Sequence, residues 1–393
     1  MIFTCIKRAL TLCKLSIRCI PIPVRGLTWL LSSEQGVQYL KNMLQDTGPV
    51  GIKFGQYLYH RPDIVSAPWR NHLKSMLDNN EPVDVSMLHI TPSLDVDPAP
   101  IGIGSLAQVH QATFESQSVV VKVLTPDAAY VHIDMWVCHV LVSFLQWCGY
   151  FPVDWDAFAR DMQRQVDLRC EAEDMEYTQC LLKNSYLHKH VRVPRIYAVS
   201  KSMLVMEKVN GRPLHHHSIP KAVHETRIHV LCYMATHGDK RFHADLHDGN
   251  VLYNKDTGEV WLIDFGICAH PNPGWIFPLP VLANKNSPTY YQDVLHVLCG
   301  PGRDYRHLAE QLKSQVVNGS GSIGGMMCTF FRFLRTHQLT LTGSNISCFS
   351  QLVSLETTVP DFMTLIATQQ VTGAVDGVAS ERTVLDLRSG LFA

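Results

Sequence analysis

The sequence predicts an α+β protein of two lobes, a small β-rich one followed by a helical one, preceded by a helical extension. Three observations carry that expectation. Glycine punctuation from Pro100 leads into the β-branched run Val119-Val120-Val121-Lys122-Val123. Apolar residues recur at helical spacing over most of the remaining chain. The composition, 46% apolar and 18% charged in 393 residues, suits a large, two-part core rather than a disordered chain.

Residues 1–33 contain Lys7, Arg8, Lys14, Arg18 and Arg25 with no acidic residue before Glu34, and Ile6, Leu10, Cys13, Ile17 and Ile20 fall at helical spacing. This pattern predicts a basic, amphipathic targeting segment, a mitochondrial leader that is removed, ended by Pro21 and Pro23. The alternative is a basic surface helix that stays. Residues 34–98 read as a helical extension that ends in a polar stretch from Asp78 to Pro98. Residues 99–209 form the first lobe, with buried strands at Val119–Val123 and Met203–Met206 on either side of a helical stretch, Ala128 to Leu182.

Residues 210–368 form the second lobe. In it the short strands Val251-Leu252-Tyr253 and Val260-Trp261-Leu262-Ile263 flank a turn at Asn254 to Gly258, and the rest is mostly helix. Residues 369–393 are a polar tail. The apolar run Trp136 to Val153 lies at the lower edge of membrane-spanning length and is broken by Gly149 and Pro152, so it reads as a buried helix, with a single span as the alternative. His215-His216-His217 cannot all face one metal from a regular element and reads as a solvated loop.

A formal net charge of −1 provides no field to draw the protein onto nucleic acid, and no nucleic-acid partner is expected. The 12 cysteines include no Cys-x-x-Cys pair, so neither a zinc ribbon nor a thioredoxin-type site is spelled out; reduced, mostly buried thiols are expected.

The stretch Gly102-Ile103-Gly104-Ser105-Leu106-Ala107-Gln108-Val109 is a turn whose backbone N–H groups could approach phosphate oxygens, with Ala107 where a third glycine would complete the pattern. Alone, such a string is more often an ordinary turn. Beyond it, Lys122 lies inside an apolar strand, where an unpaired ammonium would be costly. Glu171, on a predicted helix, is the candidate partner; the alternative is a snorkelling lysine and a surface glutamate. The deciding signal is His243-Ala244-Asp245-Leu246-His247-Asp248-Gly249-Asn250 followed by Ile263-Asp264-Phe265-Gly266. The first has the His-x-Asp-x-x-x-x-Asn spacing of a kinase catalytic loop, and the second is an Asp-Phe-Gly at the end of a buried strand.

In this order the motifs predict a bilobal protein-kinase-like fold that binds ATP with Mg²⁺. Phosphoryl transfer asks the protein chiefly to position groups and neutralise charge. Asp264 would ligate Mg²⁺ and Asn250 would offer a neutral oxygen at a second metal position. Asp245 would orient the nucleophile and accept its proton. Lys122, held by Glu171, would meet the α and β phosphates over the turn formed by Gly102, Gly104, Ser105, Ala107 and Val109. Glu207 and Val209, in the segment following the second strand, would offer backbone hydrogen bonds to the base. A metallohydrolase is the competing enzyme class, because His243, Asp245 and His247 alternate and could share one face of a strand; against it, no second His/Asp cluster stands at ligand spacing.

Together with Lys53-Phe54-Gly55-Gln56 in the stretch from Gly51 to Asp63, these motifs resemble the UbiB, or aarF-domain-containing, family of atypical kinases and, within it, the eukaryotic branch. The likeness runs over residues 48–270. It implies that Lys53 and Gln56 belong to a Lys-x-Gly-Gln signature on an extension packed over the place where a peptide substrate would dock. It also implies a mitochondrial or membrane-associated protein, in peripheral or single-span contact with the membrane, acting in coenzyme Q or related lipid homeostasis, with a lipid or quinone-like small molecule as a further partner. No Ala-Pro-Glu follows Asp264 before about Lys285, so a peptide platform is not written, and ATPase or small-molecule phosphorylation stands beside protein phosphorylation.

Three departures from the family pattern stand out. Its alanine-rich nucleotide loop here carries Gly102 and Gly104, which should relax the backbone. Its Glu-x-Asp reads Gln165-Val166-Asp167, which removes a carboxylate expected near Lys53. Asp248 replaces a usual proline and adds a negative charge near the metal positions. A catalytically competent enzyme is the leading expectation, and a pseudokinase scaffold binding nucleotide or lipid is the alternative.

Overall fold

A computed structural model describes residues 10, 15, 19, 21–59, 61, 64–65, 67–74, 76, 81–91, 94–149, 151, 153–214, 219–272, 274–284, 286–300, 303–316, 323–339, 341, 343–359 and 362. Lys7, Arg8, Lys14 and Arg18 of the expected leader, the His215-His216-His217 triplet and the tail 369–393 lie outside the described residues. The chain divides into two compact units, one of Met1–Arg169 with Tyr197–Glu207, the other of Cys170–Ile196 with Lys208–Ala393. Residues 170–196, grouped by the sequence with the first lobe, therefore fall in the second unit.

The first unit opens with α1 (Pro21–Ser32), α2 (Glu34–Asp46), α3 (Pro49–Tyr59) and α4 (Ala67–Lys74). Leu10, Leu15 and Cys19 are helical, and Pro21 and Pro23 stand in the first turn of α1, where proline's fixed φ and missing N–H are tolerated; α1 is kinked at Gly26, which has φ 82. Ile22, Leu27, Leu30 and Leu31 of α1 are buried in the same core as Leu40, Phe54 and Leu145. A leader ending at residue 33 would carry those side chains away, so the expected boundary cuts through packed core. Ser33 starts α2 by accepting the Gly36 N–H on its hydroxyl at 3.1 Å.

A five-stranded sheet follows, built of β1 (Asp95–Ile103), β2 (Ala107–Phe114), β3 (Gln117–Leu124), β5 (Ile196–Val199) and β6 (Met203–Glu207) in the order β1-β2-β3-β6-β5. The strand β1 was not legible in the sequence, since Pro98 and Pro100 argue against a ladder. It sits at the sheet edge, where a missing N–H is harmless, and its register to β2 shifts on both sides of Pro100. Gln108, wholly buried on β2, donates from Nε2 to the Val83 carbonyl at 3.0 Å and accepts the Val83 N–H, pinning the incoming linker to the sheet.

Next come α5 (Val131–Cys148) and α6 (Trp155–Gln165). The expectation of a buried helix holds for only one face of α5. Val131, Met135, Val137, Cys138, Leu141, Val142 and Leu145 are buried, whereas Trp136, Val140 and Trp147 are 58%, 48% and 76% exposed. The helix is long and apolar enough to cross a membrane by length and composition.

The second unit holds most of α7 (Leu168–Lys183), then β4 (Val191–Arg192), β7 (Arg212–Pro213), α8 (Lys221–Thr236), β8 (Phe242–His243), β9 (Val251–Asn254), β10 (Glu259–Leu262) and β11 (Cys268–Ala269). Helices α9 (Pro278–Ala283), α10 (Tyr290–Cys299), α11 (Arg306–Val316), α12 (Ile323–Thr336) and α13 (Gly343–Thr358) complete it. A four-stranded sheet, β4-β10-β9-β7, and a two-stranded one, β11-β8, carry the loops of interest at their ends. The hairpin β9–β10 matches the sequence reading, with Gly258 at φ 71 in its turn, a conformation open to glycine. Among the described residues the cysteines are free thiols, with Cys138, Cys232, Cys268 and Cys348 buried.

Candidate active site

In the second unit the residues of the expected catalytic loop gather around one histidine. His243 ends β8, is wholly buried, and its two ring nitrogens are both engaged by backbone. Nδ1 accepts the Asp245 N–H at 3.1 Å, and Nε2 lies 2.5 Å from the Asp264 carbonyl. Because Nδ1 accepts, the proton sits on Nε2 and the ring is neutral. Burial pushes its pKa below the ordinary 6.5, outweighing the nearby Asp245 and Asp264 carboxylates. A ring so occupied has no lone pair for a metal, which disposes of the metallohydrolase alternative at His243. No group of three metal-ligating side chains occurs among the described residues.

The same bonds bring three of the expected residues together. Asn250 donates from its amide to the Asp245 carbonyl at 2.9 Å and to its carboxylate at 3.3 Å, leaving its own oxygen as the available donor atom. Its backbone carbonyl accepts the Ile263 N–H at 3.0 Å, fastening the loop to the strand that delivers Asp264. Asp264 accepts the Gly266 N–H at 2.8 Å on one carboxylate oxygen, a local turn that sets its direction. Two carboxylates and an amide oxygen within one unit make a hard-oxygen set that fits a divalent cation such as Mg²⁺.

Glu171, on the first turn of α7 and buried, accepts the Phe265 N–H on Oε1 at 3.1 Å, so the helix carboxylate holds the Asp-Phe-Gly backbone itself. One turn on, Asp174 is buried and stands 3.2 Å from His270 Nε2 and 3.8 Å from Arg241. Sequence reasoning missed this second anchor, although its i,i+3 spacing from Glu171 was the available signal. It also missed Gln351 on α13, whose side-chain oxygen accepts the Leu246 N–H at 2.9 Å across 105 residues of chain.

The remaining candidates lie in the first unit, Val209 excepted. Lys122 is 8% exposed on β3, opposite Val109 of β2 and Leu204 of β6. Gly102 and Gly104 have no positive φ, so the expected relaxation of the backbone is not what they supply. Gly102 leaves room: a Cβ there would meet only the Val109 side chain at 3.6 Å. Gly104 is tighter, donating to the Ala107 carbonyl at 2.8 Å, which a Cβ would approach to 3.2 Å. Ser105 Oγ is buried with no hydrogen-bond partner among the described residues, while Ala107 begins β2 and Glu207 ends β6 opposite Val119. Val209 follows in the second unit, outside any strand.

Lys53 and Gln56 share α3, where Gln56 donates to the Met76 carbonyl at 2.9 Å and the intervening Phe54 packs edge-on against Phe158 at 5.2 Å. Asp167 is gripped by Arg169 at 2.6 Å, which holds its carboxyl below the usual range.

Residues 92–277 match the model of the ABC1 atypical kinase-like domain. A probable protein kinase UbiB of Shewanella woodyi is 28% identical over 59% of this chain and 47% of its own length. Another of Tolumonas auensis is 28% identical over 74% of this chain and 57% of its own. The chain spans about half the length of these curated relatives. Among solved structures, the Mycobacterium tuberculosis protein Rv3197, in complex with erythromycin, shares the fold at a TM-score of 0.53 and 18% identity, over 83% of this chain and 92% of that one.

Proposed function

For a chain that belongs, through residues 92–277, to the ABC1/UbiB family of atypical kinase-like domains, we propose that it binds Mg–ATP and acts as a phosphotransferase or ATPase. The observation that carries this reading is the single neutral His243 bonded to both Asp245 and Asp264, with Asn250 bonded to Asp245. The His243 bonds run to the Asp245 N–H and the Asp264 carbonyl, so they tie together the backbone that carries both carboxylates, with the Asn250 amide bonded to Asp245 beside them. In the proposal Asp264 and Asn250 hold the cation, which would neutralise phosphate charge as it is transferred. Asp245 orients the attacking oxygen and takes its proton. Lys122 binds phosphate, Gly102 to Val109 cover it, and the backbone of Glu207 to Val209 receives the base. Lys53 and Gln56 bear on substrate choice rather than on nucleotide affinity.

The test is thermal. Mg–ATP should raise the melting temperature of the purified chain, as a ligand selective for the folded state must. Asp264→Asn should remove the metal-dependent part of that rise. A rise of the same size in the variant takes Asp264 out of the metal site.

The proposal extends to a mitochondrial place in coenzyme Q or related lipid homeostasis, with a lipid or quinone-like partner and contact with a membrane. The first part rests on family resemblance. Membrane contact has a physical support in α5, where Trp136, Val140 and Trp147 are exposed on a helix free of lysine and arginine. Tryptophan on such a face favours the interface between water and lipid.

A further inference from the structure

Arg227 lies on α8, has been given no role so far, and its side chain is 0% exposed. A guanidinium cannot shed its proton at working pH, so burying one is costly unless its donors and its charge are both met. Here both are. Nη1 donates to Asp248 Oδ1 at 2.6 Å and to the Leu246 carbonyl at 3.2 Å. Nε donates to the His224 carbonyl at 3.4 Å, and Nη2 to His224 Nδ1 at 3.3 Å.

The bonds fall on the stretch that most needs outside support. Residues 244–250 form no helix or strand; besides the turn bond from the Asn250 N–H to the His247 carbonyl at 3.0 Å, their backbone is tied to other segments at Ala244, Asp248 and Asn250. Leu246 has its N–H taken by Gln351 and its carbonyl by Arg227, so side chains from two helices hold the two peptide units that flank this one residue of the loop. Asp248 is held at its carboxylate by Arg227 and at its carbonyl by the Leu214 N–H at 3.1 Å. Asp245 and Asn250 stand on either side of this clamped segment.

We infer that Arg227 is a positioning residue: with Asp248 it clamps residues 246–248 and thereby sets where Asp245 and Asn250 stand. Resting on the Mg–ATP reading, this accounts for Asp248, whose charge is cancelled by Arg227 rather than added to the metal site.

The experiment uses the full chain and four variants, Arg227→Met, Arg227→Lys, Asp248→Asn and the double Arg227→Met/Asp248→Asn, with phosphate release from Mg–ATP as the assay. Arg227→Met should lower kcat by roughly 10- to 100-fold, the scale of an ångström's misplacement of a reacting group. KM should change by less than about threefold, because Arg227 does not touch nucleotide. Arg227→Lys, which keeps the charge but loses the fork, should recover part of kcat. The double variant should be no worse than Arg227→Met alone, since both changes break one pair. A folded Arg227→Met with wild-type kcat, or single losses that multiply in the double, overturns the inference.

If Arg227→Met does not fold, the more exposed Asp248→Asn decides: wild-type kcat there also overturns it. If the wild-type chain binds Mg–ATP without turnover, the variants are scored by the Mg²⁺ affinity of the ATP complex, and an unchanged affinity in Arg227→Met is the refuting result. A wild-type chain that binds no Mg–ATP overturns the parent reading instead.

Discussion

Replacing His243 by phenylalanine tests the centre of the site. The exchange nearly conserves shape in a wholly buried position and keeps a ring against Phe265, whose centroid lies 5.0 Å away. What disappears are the two ring nitrogens, leaving the Asp245 N–H and the Asp264 carbonyl without their partner. A buried polar group stripped of its partner costs about 1–3 kcal/mol, so the pair should cost about 2–6 kcal/mol of stability. The cost should vary with pH. In the native state the imidazole stays neutral below its ordinary pKa of 6.5, while the unfolded chain takes up a proton as pH falls through that value. The unfolded state then binds more protons, and wild-type stability drops as pH falls. The variant lacks this component, so the gap between the two proteins should be widest above pH 6.5 and narrow below it. Urea denaturation at pH 8 and pH 5 measures both effects. A loss under about 1 kcal/mol at pH 8, or a gap that widens towards pH 5, would refute the tautomer and the role assigned to it.

Other expectations follow from single features. His229, buried on α8 with its pKa pushed down by burial to about 4, should lend wild type a second loss of stability between pH 6.5 and 4. That loss is about 3 kcal/mol at its fullest, and pH-dependent melting of His229→Phe should lack it. Lys53→Ala should leave ATP affinity within about twofold in calorimetry but change turnover or substrate choice; loss of nucleotide binding would contradict the role of the extension. Gly102→Ala should fold normally, since its Cβ meets only Val109 at 3.6 Å, yet weaken ATP binding if the nucleotide uses that room, and equal affinity in a titration would exclude it. Trp136→Ser/Trp147→Ser should lower sedimentation with anionic vesicles while leaving the melting temperature unchanged, and undiminished sedimentation would remove α5 from any lipid contact.

The pieces with local codes could be read from residue order alone. Alternating or continuous apolar runs located β3, β6, β9 and β10 because strand burial writes itself into neighbouring residues. The His-x-Asp loop and the Asp-Phe-Gly were legible because their chemistry requires fixed residues at fixed short spacing. How those pieces are held emerges from the folded chain. The clamp on Leu246 joins residues 19 and 105 positions away, and no local pattern encodes a contact at such distance. Arg227 carries no motif in the sequence, and its role shows only once Asp248 stands beside it. The prolines of β1 argue against a strand until the sheet places that strand at an edge. Periodicity reports which face of an element is buried; what it is buried against depends on the path of the whole chain, and that is where the aspartates of this site acquire their positions.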